Sequence, residues 1–439
     1  MRTNIITHLI ALLLPLCLSA QQTDTTKKWS LNECIENALK QNIDVRKSIL
    51  TNMTNNINTN QAKKNILPTV SGSIRQNFSW QNETDASGFT GSNNSSYSVN
   101  SNILLYNGSR LNTLIKQAKI DMQKGLYDSE SIKESISLSI LNAYLQILYT
   151  EEQVNNAEKQ IEATSEQLNL AEERYNLSII SRADLMQVKS QLASEELNLA
   201  NKQSQYTIAK VTLMQLMELP VDNNFDIVHP EFGESLNSNL APDANNIFAI
   251  ALGIKPQVKS AEYQKQSAAL NEKIAKAGFL PTISADAGIG TGYSSSTDQD
   301  YFRQLNDQIS PSAGLTVSIP IFQKNQIKTN VSLAKINLQN AELSQTNTLN
   351  QLRKEIEQAC VDVVSAQVEY EASKKQIEAT KESYLLAEEK YKNGLLNAVD
   401  YLFEKTNMIV AESNYLQSKY NLIFSYKILN FYTGTPINL

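Results

Sequence analysis

Residues 172–184 read EERYNLSIISRAD, and residues 388–400 read EEKYKNGLLNAVD. Both stretches hold a Glu-Glu pair, a basic residue, a tyrosine and a closing aspartate, at one offset of 216 residues. Nearer the N-terminus, residues 38–39 and 67–69 return 213 residues further on. Repeats that keep their order and spacing indicate an internal duplication. The offset changes between 281 and about 322, which indicates a loop there that tolerates a change of length.

Long heptad patterns lead into both stretches. Over residues 136–175, and again over 352–391, large side chains alternate with Ala, Ser or Thr at a 3-4 spacing, which is typical of closely packed coiled coils. The predicted helices are two long ones over about 108–176 and 324–392, two return helices over about 182–217 and 398–432, and two preceding helices over about 43–66 and 256–279. At 1.5 Å per residue, each long helix would span roughly 100 Å.

Two other segments have a hydrophobic period of 2. Four runs of about ten residues alternate apolar with small polar side chains, and a Gly/Ser/Asn-rich stretch separates the first two. The predicted strands cover about 69–80, 96–106, 282–293 and 312–322. Ten residues is the length that a tilted strand needs to cross a bilayer, although a half-buried soluble sheet has the same pattern. Because about eight strands is the smallest membrane barrel, a membrane role requires several chains to pool their strands.

The N-terminal residues 1–20 are typical of a secretory signal peptide, with Arg2 ahead of an apolar stretch and small residues at its end. Cys17 does not predict a lipoprotein, because Leu16 before it is too large for the usual lipid-attachment pattern. No apolar run of the remaining chain is long enough for a transmembrane helix. The predicted organisation is a first repeat over 21–219, a proline-containing linker over 220–246, a second repeat over 247–432 and a tail over 433–439.

The composition argues against several classes of function. Only 14 glycines and 10 prolines in 439 residues indicate unusually long elements, and a net charge of −6 argues against a nucleic-acid partner. The sequence has no glycine-rich phosphate or dinucleotide motif, and His229 is the one histidine outside the signal peptide. Cys34 and Cys360 lie far apart in helical patterns, which favours packing over a disulfide or a metal site. We therefore expect no enzymatic activity and no cofactor.

In order and spacing these motifs resemble the TolC family of outer-membrane efflux channels, over essentially the whole chain after the signal peptide. The resembling stretches are 29–35, the two Leu-Pro-Thr strand starts, 103–110 with its partner 319–322, and the two stretches quoted first. The resemblance implies a mainly helical fold with a β-barrel in the outer-membrane lipid. Three copies would share that barrel, which would have twelve strands, and their long helical hairpins would form a tunnel in the periplasm.

The resemblance also implies partners and a function. The homotrimer would be the exit duct of an export pump for small molecules or proteins. Its partners would be a periplasmic adaptor (membrane fusion) protein and an inner-membrane pump of the RND, ABC or MFS type. The alternative is a soluble periplasmic coiled-coil spacer, which would explain the heptads but not the four alternating strands.

By the same resemblance, the hairpin tips form a periplasmic gate. Asp400 and Asp184 would place carboxylates at the mouth, where a threefold ring favours cations. Tyr391 would donate a hydrogen bond to Asp184 that holds the entrance shut, and Tyr175 is its counterpart in the first repeat. Each residue has a plainer alternative. An aspartate just after a turn suits a helix N-terminus, and Tyr391 ends the heptad seam.

The remaining candidates concern docking and the lumen. Gly394 with Leu395, and Ser178 with Ile179, would be the tips that dock the adaptor. Gly394 is also an ordinary helix C-cap, and the first repeat lacks this glycine, so the docking groove is expected chiefly at the second tip. Arg75 and Asp286 lie on polar strand faces and would face the lumen of a barrel, with plain solvated residues as the alternative.

Overall fold

A computed structural model describes residues 27–82, 89–230 and 242–437. The predicted signal peptide and part of the predicted linker lie outside these ranges. The elements in chain order are β1 (Lys28–Trp29), α1 (Leu31–Gln41), α2 (Ile43–Lys64), β2 (Thr69–Asn82), β3 (Phe89–Tyr106), α3 (Arg110–Asn176), α4 (Arg182–Leu216), β4 (Asp226–Ile227), α5 (Ala244–Ile254), α6 (Pro256–Lys276), β5 (Thr282–Ser294), α7 (Tyr301–Asp307), β6 (Ser310–Ser318), α8 (Gln326–Lys392) and α9 (Ala398–Tyr432).

Two helical hairpins make up most of the molecule. Helices α3 and α8 have 67 residues each, about 100 Å at 1.5 Å per residue. Helix α4 folds back against the C-terminal half of α3, and α9 against that of α8; both return helices have 35 residues. The N-terminal half of α3 packs against α2 and α6 instead, and that of α8 packs against α6. The bounds of these hairpin helices lie within about two residues of the predicted ones, because capping residues such as Ser181 and Asn397 mark their ends.

The four long strands form one antiparallel sheet in the order β2-β3-β5-β6. The central pair, β3 with β5, joins the two halves of the chain, and Val99 lies opposite Ile289. Strand β3 begins at Phe89 rather than at the predicted 96. Part of the Gly/Ser/Asn-rich stretch that separates the two predicted strands thus pairs with β2, and the hydroxyls of Ser79 and Ser92 lie 2.7 Å apart across the pair.

The two outer strands of the sheet are β2 and β6, and β6 ends earlier than predicted. Strand β6 stops at Ser318, short of the predicted 322, because Pro320 has no N–H group to continue the ladder. Among the described residues, the outer edges of β2 and β6 have no partner strand. The sheet is therefore open on both sides.

The two faces of the sheet differ in chemistry, as the period of 2 predicts. One face is mostly apolar and includes Val70, Ile74, Phe78, Trp80, Tyr97, Val99, Ile283, Ile289, Leu315 and Val317. The other face consists mainly of Ser, Asn and Gly, and its hydroxyls bond across the strands, as between Ser73 and Ser98 at 2.8 Å. Many apolar-face side chains are exposed in the single chain.

Residues 295–309, here called the excursion, connect β5 to β6 and contain α7, a helix that the sequence patterns did not predict. The buried Gln304 side chain bonds both backbone groups of the last residue of β5, at 2.9 and 3.2 Å. The Tyr301 hydroxyl lies 2.6 Å from that of Tyr97 on β3, and its ring lies 4.8 Å from Tyr293 on β5. The excursion therefore folds onto the apolar face, at the end of the sheet away from the long helices.

The main apolar core lies where α1, α3 and α4 meet the short β1–β4 pair. Tyr144 anchors it by donating its hydroxyl to the carbonyls of Trp29 and Val228, at 3.2 and 2.5 Å. Cys34 is buried in this core, and burial raises the pKa of its thiol to about 12. Cys360 is a free thiol in a separate cluster between α5 and α8. In the described part of the chain, every helix is too short or too polar to cross a membrane.

Candidate functional site

The ends of the two hairpins, 174–184 (the first tip) and 390–400 (the second tip), lie at the pole opposite the sheet. In both, one residue in the left-handed region ends the long helix: Ser178 with φ +62° and Gly394 with φ +71°. Each turn closes with the paired N–H bonds of a Schellman motif, at 2.8–3.1 Å. The two tips therefore share one backbone turn, although the first has no glycine. For Ser178 this conformation costs roughly 1–2 kcal/mol.

The predicted docking residues project from these turns. Ile179 and Leu395 immediately follow the left-handed residues, and both side chains are largely exposed. Exposed leucine and isoleucine at equivalent places on two adjacent turns give each chain a pair of apolar knobs at the pole.

The two tip aspartates cap the helices that follow them. Asp184 accepts from the backbone N–H and the hydroxyl of Ser181, at 3.1 and 2.7 Å, which completes a capping box on α4. Asp400 accepts from the side-chain amide of Asn397 at 2.9 Å, and its own N–H donates back to Asn397 at 2.9 Å. The helix N-terminus alternative is therefore realised at both positions. Such a cap leaves carboxylate lone pairs open to solvent.

A direct contact joins the two tips. The Arg174 guanidinium donates to the backbone carbonyl of Tyr391 at 3.0 Å and also to that of Lys392. These are carbonyls of the last turn of α8, where a cation is favoured by the helix dipole. The guanidinium also lies 5.7 Å from the centre of the Tyr391 ring. Arg174 thus fastens the end of the second hairpin to the first.

Tyr391 is held by packing. Its ring stacks on Tyr401 with centroids 4.8 Å apart and an interplanar angle of 15°. Tyr401 is 1% exposed, and its hydroxyl bonds Tyr384 at 3.1 Å and also Gln167. Burial raises the pKa of Tyr391. Among the described residues its hydroxyl makes no hydrogen bond to Asp184, although both line the cleft described next, so the predicted Tyr391–Asp184 bond is not formed within this single chain.

A cleft of about 330 Å³ lies between the tips. Arg174, Asp184, Tyr391 and Gly394 all line it, so the structure brings together predicted residues from both repeats. Tyr175, the counterpart of Tyr391, is partly exposed and does not line the cleft. The cleft is therefore asymmetric: the second repeat contributes a buried tyrosine and the first an arginine.

Above the tips, a buried ion pair crosses between the hairpins. The Lys405 ammonium on α9 lies 3.0 Å from the Glu195 carboxylate on α4, and the residues are 3% and 5% exposed. The Thr164 hydroxyl on α3 bonds both of them. Burial lowers the pKa of Lys405, and the Glu195 carboxylate opposes that shift. Such a pair fixes one register between helices, because any other register would leave a buried charge unpaired.

The sequence patterns did not identify Arg174, Lys405 or Glu195 as functional, yet a signal was present. Both Lys405 and Glu195 fall on the buried stripes of their helices, Lys405 four residues after Tyr401 and Glu195 seven residues after Val188. A charged residue on an apolar stripe needs a partner.

Arg75 and Asp286 lie far from the tips, on the polar face of the sheet. Asp286 faces Gly314 on the neighbouring strand, and a Cβ there would lie only 2.7 Å from the carboxylate. Gly314 therefore makes room for this acid. Arg75 lies opposite Ser96, near the middle of β2.

A family described as outer membrane efflux protein has a model that matches residues 34–218 and 249–435. The chain is 24% identical over 412 residues to the toxin and drug export protein A of Aggregatibacter actinomycetemcomitans, covering 90% of this chain and 84% of that protein.

Two solved structures have a similar fold. The structure of CusC superimposes with a TM-score of 0.81 at 17% identity, over 95% of this chain and 96% of that one. The CmeC outer membrane channel of Campylobacter jejuni superimposes with a TM-score of 0.80 at 20% identity, over 92% and 85%.

Proposed function

The chain belongs to the outer membrane efflux protein family, and on that premise we propose that three copies form the exit channel of a tripartite export pump. Proteins of this family are outer-membrane channels of tripartite export systems. This chain is therefore located in the outer membrane. The alternative function, a soluble periplasmic coiled-coil spacer, does not agree with that location. The trimer, the gate and the docking contacts are the proposal.

The observation that carries the proposal is the open sheet. In lipid, the outer edges of β2 and β6 would leave a row of backbone N–H and C=O groups without partners, at several kcal/mol for each group. Pairing β6 of one chain with β2 of the next removes both edges. Three chains then supply twelve strands, with the apolar face toward lipid and the Ser/Asn/Gly face toward the lumen.

The helical part supports the same assembly. Helix α2 exposes an apolar stripe of Leu50, Met53 and Ile57, spaced so that all three lie on one side. A contiguous stripe of this kind favours burial against another helix. A neighbouring chain supplies such a helix if the three subunits surround a common axis.

Arg174 provides the resting lock of the proposed gate. Opening the periplasmic mouth requires the second tip to move away from the first, which breaks the bonds from Arg174 to the α8 carbonyls. Tyr391 contributes through its stack on Tyr401, and Tyr175 has a lesser, surface role. Asp400 and Asp184 contribute carboxylates to the mouth, each present three times.

The exposed pairs at the turns are the proposed docking surface for a periplasmic adaptor protein. Ser178 with Ile179, and Gly394 with Leu395, present the same turn and the same kind of apolar knob, so an adaptor could engage both repeats alike. The inner-membrane partner is a pump of the RND, ABC or MFS type. In the barrel, Arg75 and Asp286 are proposed to face the lumen and set its local charge.

Disulfide cross-linking tests the shared barrel. A cysteine on the edge strand β2 (Ser71→Cys), combined with one at each polar-face position of β6 in turn, should link chains into covalent trimers. The control is Asn100→Cys on β3, whose two neighbouring strands both come from its own chain. A monodisperse monomer in detergent that conducts ions, or equal cross-linking of the control, would refute the assembly.

Single-channel recording tests the lock. Arg174→Gln should raise the conductance of the resting channel, whereas Lys390→Gln, the repeat-equivalent position, should not. Leu395→Asn should abolish export in cells while leaving conductance unchanged, and exposed Leu386→Asn on the flank of α8 is its control. If Arg174→Gln and Lys390→Gln behave alike, the lock lies elsewhere.

A further inference from the structure

An apolar recess of about 580 Å³ lies on the apolar face of the sheet, next to the excursion. Its walls come from three strands and the excursion: Ile74, Tyr97, Val99, Ile289, Thr291 and Ile309. Gly72 forms part of the floor, and a Cβ built there would meet nothing nearer than 3.9 Å. The recess thus exists partly because β2 has no side chain at this position.

Polar anchors hold the excursion against the outer end of the apolar face. The Thr291 hydroxyl donates to the carbonyl of Leu305 at 2.5 Å, and Tyr301 bonds Tyr97 at its hydroxyl. Ile309 directly precedes β6, whose first residue Ser310 pairs with Gly290, and it does not close over the apolar strands. It stays 52% exposed, and Val99 and Ile289 below it are each 50% exposed. The apolar surface is therefore left uncovered by the chain's own packing.

The excursion is itself amphipathic. Phe302 on α7 is 76% exposed, so the excursion presents a large apolar side chain of its own beside the recess. Arg303 and Asp307 form an exposed ion pair at 3.7 Å on another side of α7. One apolar side and one charged side are typical of a segment at the boundary between lipid tails and water.

We propose that the recess is a binding site for one acyl chain of an outer-leaflet lipid, with the Tyr97–Tyr301 hydroxyl pair at headgroup level. The proposal rests on the proposed function, because the recess faces lipid only if the strands span the membrane. A neighbouring copy is the other conceivable occupant. In the proposed assembly, neighbouring copies meet at the outer edges of β2 and β6, whereas the recess is centred on the inner strand β3, with β2 and β5 at its sides.

Native mass spectrometry of the detergent-purified trimer measures retained phospholipid. The wild type should keep one lipid per subunit through detergent exchange. Gly72→Leu fills the floor without a backbone clash and, by displacing about two methylene groups, should weaken retention roughly tenfold. Equal retention by the two proteins would overturn the site, as would absence of lipid from both.

Tryptophan quenching separates this inference from the proposed function. In a Trp29→Phe/Trp80→Phe background, which removes both native tryptophans, Ile309→Trp in detergent should be quenched by dibrominated phospholipid along a saturating curve. Leu315→Trp, on the same face and about 20 Å further along the chain in β6, should respond only in proportion to the lipid-to-detergent ratio. If Ile309→Trp follows the proportional curve too, the site is refuted. If Leu315→Trp in proteoliposomes is not quenched at all, the strands are not in the bilayer and the proposed function fails instead.

Discussion

Replacing Lys405 by methionine is expected to lower the free energy of unfolding by about 3–5 kcal/mol per subunit. The loss comes mainly from Glu195, whose carboxylate stays buried at 5% exposure after its cation is removed. Water cannot reach the acid readily at that depth, and the two remaining neutral donors, the Thr164 hydroxyl and the Gln191 amide at 2.9 Å, do not balance a full charge. The methionine side chain fills nearly the volume of the lysine, so cavity formation adds little.

The double variant Lys405→Met/Glu195→Met supplies the decisive comparison. With both charges gone, no buried group is left unpaired, because Thr164 still donates to the Gln160 carbonyl at 2.9 Å. Apolar replacement of both partners of a buried pair is often neutral or stabilising. We therefore expect the double variant to be within about 1 kcal/mol of the wild type or more stable. The coupling between the two sites would then account for most of the single-variant loss.

Guanidinium unfolding of the trimer in detergent, followed by far-ultraviolet circular dichroism, measures these differences. The matched control is Lys189→Met, the position equivalent to Lys405 in the first repeat. Lys189 pairs with Glu172 at 2.8 Å, but both side chains are 44% exposed, so its loss should cost less than about 1 kcal/mol. The reasoning fails if Lys405→Met costs no more than the control, or if the double variant loses the sum of both single changes.

Three further outcomes are expected. Gly394→Ala should destabilise the fold by about 1 kcal/mol because of its positive φ, whereas Gly253→Ala, with equally open surroundings inside α5, should stabilise it by about 0.5–1 kcal/mol in the same melts. Burial lowers the pKa of Lys405 in the folded chain, whereas in the unfolded chain it is near 10.4. Between these two pKa values the unfolded chain binds more protons, so the free energy of unfolding of the wild type should rise with pH in that window. The Lys405→Met variant should show a smaller rise. Asp400→Asn keeps the cap but should reduce cation selectivity in reversal-potential measurements, most at low salt; unchanged selectivity would remove Asp400 from the mouth.

The long elements were predictable because their signals are local. Heptads, the cap residues Ser181 and Asn397, and the period of 2 each act within a few turns, and together they fix most helix and strand bounds. The early start of β3 was missed because a run of Ser and Asn has no hydrophobic pattern. Its pairing depends on the partner strand β2, which supplies matching hydroxyls and amides.

The candidate site was predictable only in part. The tip aspartates and Tyr391 follow from the repeat, and Gly394 from its place at a helix end, but their partners do not, because side-chain bonds depend on which hairpin faces which. Arg174 aligns with Lys390 in the duplication, yet only Arg174 reaches across to the other tip. The two tips thus have similar sequences but make different contacts. The sequence of each tip alone does not predict which of the two basic residues reaches the other tip.

The unpaired edges of β2 and β6 also affect inheritance. In the proposed assembly each edge strand pairs with the edge strand of a neighbouring chain. One chain with a defective edge strand therefore prevents closure of the barrel, even when the other two chains are normal. A cell making sound and faulty chains in equal amounts would have roughly one fully sound trimer in eight if the chains mix at random. Edge-strand mutations should therefore be dominant over the normal gene. Mutations confined to the helical core, which unfold a chain before it meets its partners, should be recessive.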